Sequence, residues 1–289
     1  SIKLTGGSEG EDDFSLGSTV SQYVTVTLPD PGKAIEGNEL LIQIGMDVGG
    51  AVEYIPMGYF TAGKPQKEEQ IEFTAYDRML KLETPYSMDG SSTDSVSVLK
   101  KIQEITGVTI ATTNLPTASM AVPKGYSCRE VLSYVAQLYG CFAVCSRSGQ
   151  IELHKYVDSG YKVGTGRYWD TFEHNDYSFA VEKLICFTGQ DKDGKDISIS
   201  SGSGTRAVTF SNPFMKQNVL DDVMKKLGNF SYMPGSLRML GDPRLDPWDI
   251  ITVEDRNGNN YKVPLMKRNQ MRITKALPQK KWSGIMRSW

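Results

Sequence analysis

Apolar residues recur along this chain with two different periods, and the change from one to the other divides it. Val24, Val26 and Leu28 alternate with Thr25 and Thr27 and stop at Pro29-Asp30-Pro31-Gly32, as in a half-buried strand with its terminator. Leu40, Ile42 and Ile44 share one strand face, Asp47-Val48-Gly49-Gly50 makes a turn, and 51–61 returns as a second strand. A strand around Ile71 and Phe73 follows, with a short helical turn over 77–82. Residues 1–19, rich in Gly, Ser and acidic side chains, read as an exposed arm or a loop entering the fold.

After Pro85 the period lengthens. Val98, Leu99, Ile102 and Ile105 fall on one helical face, with Thr93 or Asp94 to cap it and Gly107 to close it. A second helix is marked by a Ser127/Glu130 capping box, an apolar stripe of Val131, Leu132, Val135 and Leu138, and Gly140 at its end. A hairpin turning at Ser148-Gly149 comes next. From about residue 170 the strand period resumes. The polar stretch 195–206 reads as an exposed loop, and Asn212-Pro213 introduces a helix near 214–228 carrying Val219, Leu220, Val223 and Leu227. Asn257-Gly258 marks a final hairpin.

These elements predict a mainly β chain with an α+β insertion. A β domain over 1–85 and a second over 170–289 would flank an inserted α/β domain over 86–169. Short strands joined by Gly-rich turns point to barrels or sandwiches. The blocks beginning at Glu39 and at Asp249 share one order: acidic residue, apolar strand, Gly-containing turn, strand, Pro. Two related β modules or coincidence would produce that similarity equally.

With 289 residues, 39% of them apolar and 23% charged, the chain can bury a sizeable core and is not of disordered composition. A net charge of -2 argues against a surface built to coat nucleic acid. No apolar run reaches the ~18 residues that span a membrane, and no signal peptide is readable. Cys128, Cys141, Cys145 and Cys186 read as free structural thiols of a reducing compartment. Cys141 and Cys145 lack further ligands at zinc spacing, and neither His154 nor His174 supplies them.

No nucleotide-binding, metalloprotease or serine-hydrolase motif is present. His154, inside an alternating stretch, reads as a strand-surface residue. An enzyme would have to use paired carboxylates, Glu173 with Asp176 near Trp169, or Asp246 with Asp249 beside Trp248. A carbohydrate-binding module would need an aromatic platform, for which Trp169, Trp248 and Trp282 are available. Lys267, Arg268, Arg272, Lys275, Lys280, Lys281 and Arg287 make the end of the chain basic, while Glu11, Asp12 and Asp13 make its start acidic. A solvated face explains that asymmetry, as does contact between subunits or with nucleic acid.

Three ordered groups of segments carry a family likeness. They are GNELLIQIG, EYIPMGYFTAGK and IEFTAYDRMLKLE; then VLKKIQEITGV with SCREVLSYVAQLYGCFAVCSRSGQIELHKY; then NPFMKQNVLDDVMKKLG with YMPGSLRMLGDPRLDPWDIITVEDRNGNNYKVPL. In this order the chain resembles the baseplate-hub family of phage tails and phage-like contractile particles, which includes the XkdQ/YqbQ-type tail proteins and the trimeric hub of myovirus tails.

The resemblance implies two tube-like β-barrel domains flanking the smaller helix-containing domain. It implies a homotrimeric ring adapting a six-fold tail tube to a three-fold tip, with a tail-tip protein of a non-contractile phage, built on the same core fold, as the alternative. The partners would be tube protein, spike or tip protein, tape-measure protein and baseplate wedge components, with DNA passing through the lumen without sequence readout. Such a particle is assembled in the bacterial cytoplasm. The family reading makes Gly241, Asp242, Pro243, Leu245 and Asp249 shapers of a turn into a strand. It assigns no catalytic, cofactor or metal residue, and leaves any cell-wall cleavage to a partner.

Overall fold

The computed structural model describes residues 2–7, 14–67, 70–228, 230–239, 241–270 and 287–288. Its largest sheet runs in the order Ile151–His154, Phe142–Cys145, Thr19–Leu28, Ile71–Asp77, Ala51–Ala62, Glu39–Val48, Arg287–Ser288. Ile2–Gly7 also pairs with Thr19–Leu28 and carries Lys267–Gln270 on its other side. The period-two pattern explains which face is buried. Val24 and Val26 are 0% and 1% exposed, and Phe60, Ile71 and Phe73 join them in one core. Among the described residues that core draws only on this sheet and on Ile35, so the sheet curls over its own apolar face. The Glu39–Val48/Ala51–Ala62 hairpin turns through Gly49 and Gly50, both at positive φ (64° and 93°), as a two-residue turn requires.

Among the described residues three α-helices form beside the sheet. Helix α1 (Ser95–Thr106) starts at Asp94, whose carboxylate accepts the Val96 and Ser97 amides, and ends at Gly107 in the left-handed region. Helix α2 (Cys128–Tyr139) has the full Ser127/Glu130 capping box and closes at Gly140. Helix α3 (Gln217–Leu227) has Lys216 at its cap position with no side-chain bond there. Their apolar stripes, with Val98, Leu132, Val135, Leu220 and Val223 at 0% exposure, meet in a second core with Met79, Ile151 and Leu184. Each such Leu or Ile stabilises by about 1.5–3 kcal/mol relative to exposure. This core joins residues from before 85, from 86–169 and from beyond 170.

Three expectations are corrected. The first is closure into barrels. Among the described residues no sheet closes: between residues 157 and 264 the strands form separate sets of two or three. Asp249–Glu254 lies between Val157–Val163 and Asn260–Pro264, and Asp196–Gly202 and Ala207–Ser211 flank Lys183–Gln190. Closure needs every strand flanked on both sides in consistent register. Here the Val157–Val163 and Tyr168–His174 pairings are broken by shifts between Asp158 and Lys162 and between Trp169 and Glu173.

Second, 195–206 is largely strand. Asp196–Gly202 pairs along Lys183–Gln190, with Ile199 turned to the core between exposed serines. Third, the first residues are not a free arm. Ile2–Gly7 is a paired strand, and Phe14 and Leu16 are buried.

Candidate functional site

Three arginines brace segments far apart in sequence. Arg78 begins the 3-10 turn Arg78–Glu83, which Asp77 caps by accepting the Met79 amide. Its guanidinium forks onto Glu39 through Nε (2.8 Å) and Nη2 (2.7 Å), donates to the Gly149 carbonyl (3.1 Å) and lies over the Tyr59 ring. That hydrogen bond holds the Glu39 carboxyl below its usual range. Arg129 on α2 donates to the Thr19 hydroxyl and carbonyl and to Glu83. Arg147, in the tight turn after Phe142–Cys145, reaches Asp246 and the Leu245 carbonyl. The helical core, the curled sheet and the turn leading into Asp249–Glu254 are thereby tied together.

That turn contains the residues expected to shape it. Asp242 accepts the Arg244 amide and grips its guanidinium, which lowers the carboxyl to about 2. Leu245 is buried with Val163, Ile251 and Val253. Asp249 accepts the Asp246 amide at 2.8 Å. The Asp246/Asp249 pair therefore lies within one turn and braces it, one carboxylate holding Arg147 and the other a backbone amide. Glu173 and Asp176 are exposed, and Glu173 accepts a bond from Ser236.

His154 ends the strand Ile151–His154, stacks on Trp248 with ring centroids 4.5 Å apart and contacts Glu152. His174 packs against Phe172 and Tyr261. All four cysteines are free and buried. Burial pushes the Cys145 thiol up to about 12 and Cys186 to about 11. Among the described residues no cluster of three His, Cys, Asp or Glu is suited to a metal ion, and no helix is long and apolar enough to cross a membrane. Glu11, Asp12, Asp13, Arg272, Lys275, Lys280, Lys281 and Trp282 lie outside the described residues, and of Lys267, Arg268 and Arg287 only the backbone is described.

Sequence reasoning missed a cleft of about 780 Å³ between the tip of the first hairpin and the second β region. Val48, Glu53 and Ile55 form one wall, and Tyr161, Tyr168, Trp169 and Arg244 belong to the other. Trp169 is 48% exposed and Val48 50%. The bulge beginning at Trp169, with Asp170 at φ 60°, re-aims this strand at the cleft. The adjacent Tyr168-Trp169 pair was the available signal, but nothing local shows what faces it.

No protein-family model matches the chain, and no curated protein matches it. Solved structures do. The 43 kDa tail protein of prophage MuSo2 from Shewanella oneidensis superposes over 92% of this chain and 88% of its own, with TM-score 0.53 and 13% identity. A tail protein from Neisseria meningitidis MC58 matches over 93% and 86%, with TM-score 0.58 and 12% identity. Prophage tail protein gp18 from Listeria monocytogenes EGD-e matches over 99% and 94%, with TM-score 0.51 and 11% identity. At these identities the likeness concerns architecture: the chain shares the fold of these phage and prophage tail proteins over nearly its whole described length.

Proposed function

We propose that this chain is a structural component of a phage or phage-like tail, and within it a baseplate-hub subunit. Three copies form a ring that joins the six-fold tube to the three-fold tip. Tube protein binds on one side, spike or tip protein on the other, and tape-measure and wedge proteins at the periphery. The observation that carries this reading is likeness along the whole length: three tail proteins are matched over 88%, 86% and 94% of their own chains, not over one shared module. The ordered hub-like segments of the sequence add to it. So does the use of Asp246 and Asp249 as braces rather than across a cleft.

In this reading the β regions within 1–85 and 170–289 line the annulus, and 86–169 faces outward. The work is mechanical, which suits a chain in which Arg78, Arg129 and Arg147 cross-link distant segments. The test is the mass of the tag-free protein by light scattering over a concentration series, followed by imaging with purified tail tubes. A species of about three times 32.0 kDa that caps tube ends is expected. A chain that stays monomeric and fails to associate with tube ends would sink the hub assignment. Density for 86–169 inside the lumen would overturn its orientation alone.

A further inference from the structure

We propose that the cleft between the first hairpin and the second β region is a binding site for a neutral oligosaccharide, with Trp169 as its stacking platform. Four observations converge on it. The volume of about 780 Å³ suits two or three sugar rings and is within the ordinary range of ligand pockets. Its aromatic content is high, with Tyr161, Tyr168 and Trp169 all lining it. Trp169 stays 48% exposed although it lies in a strand, beside a bulge and a left-handed Asp170. A conformation of that kind is kept where the surrounding structure fixes it. Arg256 does so here, donating to the Asp170 carbonyl.

Charge selects the ligand class. Among the described lining residues Glu53 and Asp242 are balanced by Arg167 and Arg244, so these residues offer no net charge to a phosphate, a nucleic acid or a polycation. It offers instead planar carboxylate and guanidinium groups beside aromatic faces. Asp242 and Arg244 are already fixed against each other at 2.7 Å, so this polar edge is preorganised. A pyranose meets both needs at once. Its C–H faces are weakly positive and pack on the negative face of an indole, and its hydroxyls donate to carboxylates and accept from guanidinium. The inference does not rest on the hub assignment, since every described residue of the cleft lining belongs to one copy of the chain.

The test uses the full chain labelled with nitrogen-15 and titrated with maltotriose and, separately, with triacetylchitotriose. The Trp169 indole N–H signal is assigned by its loss in Trp169→Phe. Expected is a saturable shift of that signal with at least one probe, and affinity about tenfold weaker in Trp169→Ala. Trp169→Tyr should recover part of the loss. Absence of any shift at Trp169 with either probe overturns the proposal, as does equal affinity in Trp169→Ala whose backbone spectrum is otherwise unchanged. A Trp169 signal that moves with protein concentration and not with sugar assigns the cleft to a second copy, which also overturns it. If Trp169→Ala does not fold, the titration of the unaltered protein and the Trp169→Tyr affinity decide the matter.

Discussion

Arg147 donates two hydrogen bonds to a single oxygen of Asp246, from Nε at 3.0 Å and Nη2 at 2.7 Å, across 99 residues of chain. Both side chains are about one-fifth exposed. The same guanidinium donates to the Leu245 carbonyl, so it fixes the backbone of the turn as well as the acid. Replacing Arg147 with Ala removes the guanidinium donor from a largely buried carboxylate and from a backbone carbonyl. The expected cost is about 1–3 kcal/mol, because charge-assisted bonds exceed neutral ones. Urea unfolding of Arg147→Ala, Asp246→Asn and the double variant measures it. The double variant should cost clearly less than the sum of the singles; strict additivity would mean that the pair does not couple.

Gly149 sits at φ 79° in the turn that also presents Arg147. A Cβ there would lie 2.6 Å from Arg78 Nη1 and 3.0 Å from the Tyr59 ring. Gly149→Ala therefore combines left-handed strain of about 1 kcal/mol with displacement of the Arg78 fork from Glu39. We expect a loss of stability in Gly149→Ala that exceeds the loss in Gly258→Ala. Gly258 is also left-handed, at φ 86°, but a Cβ there meets nothing within 4 Å. Comparing the two melting curves separates contact from backbone strain.

Buried thiols give a simpler readout. Cys128, Cys141, Cys145 and Cys186 are all free and enclosed, and burial raises their ionisation above the ordinary thiol range. A thiol reagent at neutral pH should leave all four unmodified in the folded protein and modify all four in denaturant. Rapid labelling of any one under native conditions would show that its part of the helical core opens locally.

Helix positions were legible because their signals are local. Asp94, the Ser127/Glu130 box and Gly140 fix ends within a few residues, and the apolar spacing fixes the buried face. The strand Asp196–Gly202 was not legible, because only Ile197 and Ile199 alternate with serines inside a Gly/Ser-rich, charged stretch, and its pairing to Lys183–Gln190 supplies the order. Sheet closure failed as an expectation for the same reason: alternation identifies a strand but says nothing of its neighbours. The Arg147–Asp246 brace and the cleft facing Trp169 both depend on contacts between segments far apart in sequence. Trp248 stands two residues after Asp246, yet its stacking on His154 follows from strand placement rather than from either residue's own neighbours.

Asp77 contributes a pH dependence between the acid range and neutrality. It is 3% exposed, and burial raises its carboxyl to about 7, although the Gln22 amide at 2.7 Å, the Met79 amide at 3.0 Å and Ser21 all favour the charged form. An unfolded Asp ionises near 3.9, so between about pH 4 and 7 the folded state holds more protons than the unfolded state. Stability from this group is therefore fully present below about pH 4. It is lost as pH rises towards 7, by on the order of 4 kcal/mol at most, at about 1.4 kcal/mol per pKa step. Asp77→Asn cannot ionise and keeps an acceptor for only one of the two amides, its NH2 facing the other donor. It should be less stable than the unaltered protein at pH 5, and the gap should close or reverse by pH 8. Unfolding free energies of the two proteins across this range decide it, and parallel curves would show that Asp77 keeps the same charge in both states.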